Sequence, residues 1–233
     1  MSVTVSGCNS STKSVTSGVP QGSVLGPLLF IIYVNYLPSY IVNKCKFFAD
    51  DLKIYLKINH GSTNSFSADV SLCQSDIDSI ASVAKSWGLS LNSDKCVVLR
   101  FARHFRNVNS SNLLSSSYSH LGNDLPMCSS SKDLGVTVET DLKFHSHIKT
   151  AVSKASGLSI NMLRSTVCRK PDFMMALYKS HIRPLFEFCS CVWYTGYVGD
   201  NALLEKIQRR WTKEIDGLGD LPYSIGRSLT DFV

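Results

Sequence analysis

Asp50 and Asp51 stand side by side in the string Phe48-Ala49-Asp50-Asp51. Two adjacent carboxylates repel each other, and a divalent cation relieves that repulsion. Hard cations such as Mg²⁺ (or Mn²⁺) take oxygen ligands and keep part of their water shell. Two such ions about 4 Å apart can activate a 3′-hydroxyl and stabilise a leaving pyrophosphate. The same pair also suits an ordinary solvated turn. A second segment with chemical content lies upstream, Ser17-Gly18-Val19-Pro20-Gln21-Gly22-Ser23-Val24-Leu25-Gly26-Pro27-Leu28-Leu29-Phe30. Gly18, Gly22 and Gly26 allow close backbone approach by another chain. Gln21 offers both a donor and an acceptor. Such a loop opening a helix can accommodate a nucleotide or a template base, and it also suits a plain Gly/Pro loop.

The surrounding pattern predicts the elements that must hold these groups. Lys44 to Ala49 reads as one strand of a hairpin. Leu52, Ile54, Leu56 and Ile58 alternate with Lys53, Tyr55 and Lys57 in the other, with Asp50 and Asp51 at the connection. Val3-Thr4-Val5 and Ser14-Val15-Thr16 read as short strands around a turn, and Val24 to about Tyr36 as a buried helix with Pro27 in its first turn. At 11 residues, the apolar run Val24 to Val34 is too short to span a bilayer. Residues 68 to 87 form an amphipathic helix, with Ile77, Ile80, Ala81, Ala84 and Trp87 on one face and Gly88 ending it. Cys96 to Phe101 and Leu134 to Val138 read as strands. The Ser/Asn/Arg-rich stretch between them reads as a loop or weak hairpin.

After about Asp141 the period becomes helical. Ile148, Val152, Ala155, Leu158 and Met162 form one stripe. A second helix starts near Pro171, and Pro184 should kink or break it. A third carries Leu204, Ile207, Trp211 and Ile215, with Lys206, Arg209, Arg210 and Lys213 largely off the stripe. The fold class is therefore α+β, with residues 1–142 strand-rich and residues 143–233 helical.

Charge follows the same division. The net charge of +6 is moderate, but Lys143 to Lys213 holds 12 Lys/Arg against 4 Asp/Glu. A basic third fits a polyanion such as nucleic acid, and it equally suits a solvated helical surface. Eight cysteines occur without a CxxC spacing. The Cys189-x-Cys191 pair reads as two faces of packed structure. Scattered thiols and no secretory signal point to an intracellular protein, in the nucleus or cytoplasm.

The string SGVPQGSVLGPLLF, followed by FADD, resembles the B and C motifs of non-LTR (LINE-type) retrotransposon reverse transcriptases, the jockey-like group above all. Trp87-Gly88-Leu89 through Leu91-Asn92-Ser93-Asp94-Lys95-Cys96 to Phe101 resembles that family's W…LNxxKC…F segment, and Lys132-Asp133-Leu134-Gly135-Val136-Thr137-Val138 its LGV strand. Tyr178-Lys179-Ser180-His181-Ile182-Arg183-Pro184 and Leu204-Glu205-Lys206-Ile207-Gln208-Arg209-Arg210 look like the helical segments that follow. The resemblance implies a partial palm over 1–142 (antiparallel strands plus helices) and an all-helical thumb-like region over 143–233. It implies two-metal nucleotidyl transfer with Mg²⁺ or Mn²⁺, an RNA template, a DNA primer and deoxynucleoside triphosphates.

The resemblance also implies roles. Asp50 becomes a metal ligand, Asp51 its acidic partner, and Phe48 packs beside the primer terminus. Gln21 and Gly22 lie near the template base or incoming nucleotide. Lys95 neutralises or protonates the leaving pyrophosphate, although a surface lysine at a strand start is the plain alternative. Leu134 and Gly135 help to hold the primer. Lys206, Arg209 and Arg210 face the nucleic-acid backbone.

Two departures bear on activity. Asn35-Tyr36-Leu37-Pro38 stands where the family has Asn-Asp-Leu-Pro. The family's first metal-binding aspartate precedes the Gly-rich loop, yet none of the 16 residues before Ser17 is acidic. The expectation is a chain truncated at its N-terminus, with an incomplete metal site, that does not extend a primer by itself. The alternative is a non-catalytic nucleic-acid-binding remnant or domesticated protein. A degenerate remnant without function is a third reading.

Overall fold

The computed structural model of the chain describes residues 2–14, 18–19, 22–58, 63–101 and 117–225. It divides into two compact units: Met1–Cys96 with Ser111–Leu125, and Val97–Ser110 with Pro126–Val233. Helices and short strands share the chain, so the α+β class holds. The described strands form two-stranded sheets. All are antiparallel except the pair of β5 (Val98–Leu99) with β8 (Met127–Cys128), which is parallel.

The first unit opens with β1 (Thr4–Val5) paired to β2 (Cys8–Asn9). The strand expected at Ser14–Thr16 is therefore not β1's partner; Val15 and Thr16 lie outside the described residues. The turn Ser6-Gly7 has both φ angles positive, which lets the chain reverse at once. α1 (Leu25–Val34) follows, and the Ser23 hydroxyl accepts from the Gly26 N–H at 3.0 Å, satisfying one free donor of its first turn.

The expectation of a buried helix here needs correction. Gly26 and Val34 are buried, but Leu25, Leu28, Leu29, Ile31, Ile32 and Tyr33 are exposed. The run is apolar on all sides, whereas the unit's core takes up a single face of it, through Phe30 and Val34.

A 3₁₀ turn (Leu37–Tyr40) leads into β3 (Lys44–Phe48), which pairs with β4 (Asp51–Tyr55). The alternation read as far as Ile58 thus forms ladder only to Tyr55. α2 (Thr63–Ser86) begins earlier than expected and packs Ile80 and Ala84 inward. It ends at Gly88, whose φ is +71. The Leu89 N–H bonds the Ala84 carbonyl and the Gly88 N–H bonds the Lys85 carbonyl. That six-to-one and five-to-two pairing terminates a helix on a left-handed residue. β6 (Ser119–His120) and β7 (Asn123–Asp124) form a hairpin against α2. The side-chain amide of Gln74 bonds both the N–H and the carbonyl of Ser119, at 2.9 Å each.

In the second unit the strand expected at Cys96–Phe101 is confined to β5. β9 (Ser130–Asp133) and β10 (Val136–Glu139) form a hairpin. Leu134 and Gly135, read as the start of a strand, are instead its turn. Their φ angles of 44 and 92 suit a two-residue hairpin turn with both residues left-handed.

α3 (His145–Ser165) buries Ile148 and Ala155 of the expected stripe, half-buries Val152, Leu158 and Met162, and also buries Ala151 and Ser159. Glu139 accepts at its N-terminus from the Ser146 N–H at 3.1 Å, a carboxylate where the helix dipole favours one. The next helical stretch comes in pieces. α4 (Pro171–Leu177) passes through a π turn (Tyr178–Ile182) into α5 (Arg183–Glu187). Pro184 has no N–H to offer the Ser180 carbonyl, and the wider turn stands immediately before it.

α6 (Ser190–Trp193) and α7 (Val198–Lys213) complete the unit. Trp211, Ile207, Ile215, Met174, Tyr178, Ile182 and Ala155 make one core; Val136, Phe144, Ile148 and Trp193 make another. Each buried tryptophan also satisfies its indole N–H. Trp211 donates to the Met174 carbonyl at 3.1 Å, and Trp193 to the Phe188 carbonyl at 2.7 Å.

Candidate functional site

The β3–β4 hairpin turns in two residues, Ala49 and Asp50, because Phe48 pairs with Asp51. Ala49 takes φ +52, a left-handed angle that costs a residue with a Cβ about 1–2 kcal/mol. Asp50 therefore sits in the turn and Asp51 opens the return strand, and both are exposed. Cross-strand partners share a face of a hairpin. Cys45 with Ile54 and Phe47 with Leu52 face one way, and Phe47 and Leu52 pack on the core of Val34, Leu37 and Ile80. The other face carries Lys44 with Tyr55, Lys46 with Lys53, and Phe48 with Asp51. Phe48 is 62% exposed there, opposite Asp51. The lysines on this face were not singled out by sequence, although strand alternation predicts their common side.

The base of this hairpin is held by a residue of α2 that lies outside every motif named above. Asp76 of α2 is 1% exposed. One carboxylate oxygen accepts from the Val42 N–H at 2.8 Å. The other accepts from the Asn43 N–H at 3.0 Å and from the Asn43 side-chain amide at 2.7 Å. Burial, and then the Asp76 charge, push the Cys73 thiol up, while a hydrogen bond with Tyr118 opposes them. Lys95 closes a 3₁₀ turn (Ser93–Lys95) started by the Asn92 side chain, which accepts from the Asp94 N–H. Its side chain is exposed.

In the Gly-rich loop, Gly18 and Gly22 take φ of +83 and +80, and a Cβ at either would meet no atom of the described residues within 4 Å. Within this chain these glycines thus serve backbone conformation. Gln21 lies outside the described residues. A groove runs along α2, lined by Tyr40, Gln74, Asp78 and Ser82 among others; neither Asp50 nor Asp51 is among the described residues that line it.

In the second unit, Leu134 and Gly135 stand at a hairpin tip. Lys206, Arg209 and Arg210 are exposed on α7, opposite the buried Ile207 and Trp211. Arg209 lies over the Tyr223 ring, 4.8 Å from its centre. Other cations of the basic stretch do structural work. Arg169 donates to the Thr166 and Leu163 carbonyls at 2.6 and 2.7 Å, and Arg183 pairs with Glu187. His145 and the buried Asp200 bond at 2.7 Å and tie α3 to α7. They lie 55 residues apart, so no local pattern announces them.

Asp50 and Asp51 are hard-oxygen donors open to solvent. They fit a cation such as Mg²⁺, which is commonly bound by one or two carboxylates with water and substrate phosphates completing its shell. Among the described residues, no group of three His, Cys, Asp or Glu could enclose a metal. Cys189 and Cys191 divide as expected: Cys189 packs against the Trp193 core and Cys191 is exposed.

Residues 2–173 match the family described as reverse transcriptase (RNA-dependent DNA polymerase), and the chain belongs to that family. Its relatives narrow this to the non-LTR, jockey-like retrotransposon kind. It is 32% identical over 155 residues to the RNA-directed DNA polymerase from mobile element jockey of Drosophila funebris, covering 63% of this chain and 16% of that protein. The jockey polymerase of Drosophila melanogaster is 26% identical over 194 residues, covering 78% and 20%. The putative 115 kDa protein in type-1 retrotransposable element R1DM of Drosophila melanogaster is 24% identical over 189 residues, covering 77% and 17%. The chain thus spans a fifth or less of the length of these curated relatives. No solved structure matches it.

Proposed function

We propose that the chain carries the acidic hairpin of an RNA-directed DNA polymerase, with Asp50 and Asp51 as its metal-binding carboxylates. The observation that carries this reading is the exposed carboxylate pair at a two-residue hairpin tip, inside the segment that matches the family. Mg²⁺ or Mn²⁺ bound there supplies Lewis-acid chemistry for phosphoryl transfer. The chain's own residues do the rest. Asp50 and Asp51 hold the charge at the tip, and Phe48 offers an apolar surface for the primer end. Lys95, exposed at the end of its turn, is the proton donor for the leaving pyrophosphate. Gln21 and Gly22 border the template base or incoming nucleotide. Leu134 and Gly135, at their own tip, support the primer strand. Residues 1–142 act as a palm portion and 143–233 as a thumb-like one. The partners are an RNA template, a DNA primer and deoxynucleoside triphosphates. Eight free thiols suit action inside the cell, in nucleus or cytoplasm.

The described residues offer two carboxylates at the tip and no third ligand with them. A pair of that kind holds Mg²⁺ loosely, so the isolated chain should not extend a primer. The test has two arms on an RNA template with Mg²⁺ or Mn²⁺. In the first, the isolated chain is compared with Asp50→Ala, and no difference is expected. In the second, residues 2–173 replace their counterpart in the Drosophila funebris jockey polymerase. Extension by that chimaera should fall at least about 100-fold with Asp50→Ala, the scale seen when a charge-stabilising group is lost. Asp50-independent extension by the chimaera would sink the assignment. A second reading, a non-catalytic nucleic-acid-binding protein, draws on exposed Lys206 and Arg210; nucleic-acid binding without Asp50-dependent extension in either arm would favour it.

A further inference from the structure

We propose that Asp76 is a positioning residue that sets where the Asp50–Asp51 tip stands. The proposal rests on the reading of that tip as the metal-binding hairpin. A buried carboxylate is costly unless it is paired or hydrogen-bonded. Asp76 receives three bonds, all from two consecutive residues, Val42 and Asn43. Those residues directly precede β3.

The geometry is that of a lever. β3 has five residues, so its tip lies about 17 Å from its base, and a tilt of about 10° at the base moves the tip by about 3 Å. Catalytic groups need placement far tighter than that, and an error of about 1 Å can cost about 100-fold in rate. The inner face of the hairpin contributes only partly buried side chains, Phe47 and Leu52, to the core. Apolar packing is non-directional. Hydrogen bonds to an ionised acceptor are directional and roughly twice as strong as neutral ones. Asp76 therefore supplies the directional constraint at the hairpin's base.

A merely structural carboxylate would tie down the connection and stabilise the whole unit, leaving tip order unchanged in the molecules that stay folded. The two roles separate in amide exchange and Mn²⁺ broadening, measured by NMR on the full chain. In Asp76→Asn, one acceptor becomes a donor facing donors. Its β3–β4 ladder amides should exchange about tenfold faster, while α2 amides near Ile80 and Ala84 stay protected. The Mn²⁺ concentration that half-broadens the Asp50 and Asp51 amides should rise about tenfold, as when a metal ligand loses its support. Should Asp76→Asn fail to fold, Asn43→Ala removes the side-chain donor alone, and the same selective loss of ladder protection is expected. Unchanged ladder exchange, or equal loss in hairpin and α2, would overturn the proposal. Absence of Asp50-dependent broadening in the unmodified chain would instead overturn the metal reading, and the exchange measurement would still decide the role of Asp76.

Discussion

The Nδ1 of His147 accepts a hydrogen bond from the Thr137 backbone N–H at 3.2 Å, joining the first turn of α3 to β10. Only a ring nitrogen without a proton can accept. The ring is buried, with the Trp193 ring 5.4 Å away, and burial followed by the Lys154 charge lowers its pKa. The neutral form thus belongs to the fold. An unfolded histidine titrates near about 6.5, so this contribution is complete above that pH and is lost as the pH falls below it. Thermal unfolding at pH 7.5 and 5.0 should show a larger acid loss in the native chain than in His147→Asn, whose amide oxygen can accept without titrating. Equal losses would mean that His147 is not the responsible group.

Gly135 has φ +92, and a Cβ there would come within 2.8 Å of the Phe188 ring. Phe188 is exposed and can swing aside, so the conformational term should dominate. Gly135→Ala should destabilise the chain by about 1–2 kcal/mol. Urea unfolding of Gly135→Ala with and without Phe188→Ala separates the terms. A cost that vanishes in the double variant would assign the effect to the ring contact.

Lys46 faces Lys53 across the hairpin. Like charges in opposed positions destabilise a strand pair, and opposite charges contribute about 0.2–1 kcal/mol. Lys46→Glu should therefore raise the urea midpoint, even though it alters the face that carries Phe48 and Asp51. A lower midpoint would show that the Lys46 ammonium stabilises the fold through some other contact.

On α7 the cations are not equivalent. Binding to a single-stranded oligonucleotide should weaken as salt rises, and Lys206→Ala or Arg210→Ala should each lower the log–log slope by about 0.7. Arg209→Ala should alter the slope less and the stability more, because a guanidinium over a half-buried ring is worth about 0.5–2 kcal/mol. Affinity that is flat with salt would make these residues a solvated face.

What could be read from sequence was whatever is local. Strand alternation around Lys53 and Tyr55 announced the acidic hairpin, and the 3.6-residue period announced Ile148, Ala155, Ile207 and Trp211 as core. The left-handed turn at Leu134-Gly135 was missed because Leu134 is not a residue that favours positive φ. The exposure of α1 was missed because apolar composition reports what a helix can bury, not whether a neighbour is there to bury it. Asp76, and the His145–Asp200 pair, depend on contacts between distant segments. In sequence they look like any helical aspartate or histidine.

The division of the chain has a consequence for its synthesis. Residues 1–96 do not complete the first unit, because Tyr118 and the Ser119 strand clamped by Gln74 arrive only after Val97–Ser110, which belong to the second. At about 5–20 residues per second, translation from Cys96 to Leu125 takes about 1.5–6 s. Through that interval the acidic hairpin and α2 exist without the strand that covers Gln74. A nascent chain stalled there would present α2 in a state that the finished protein does not occupy.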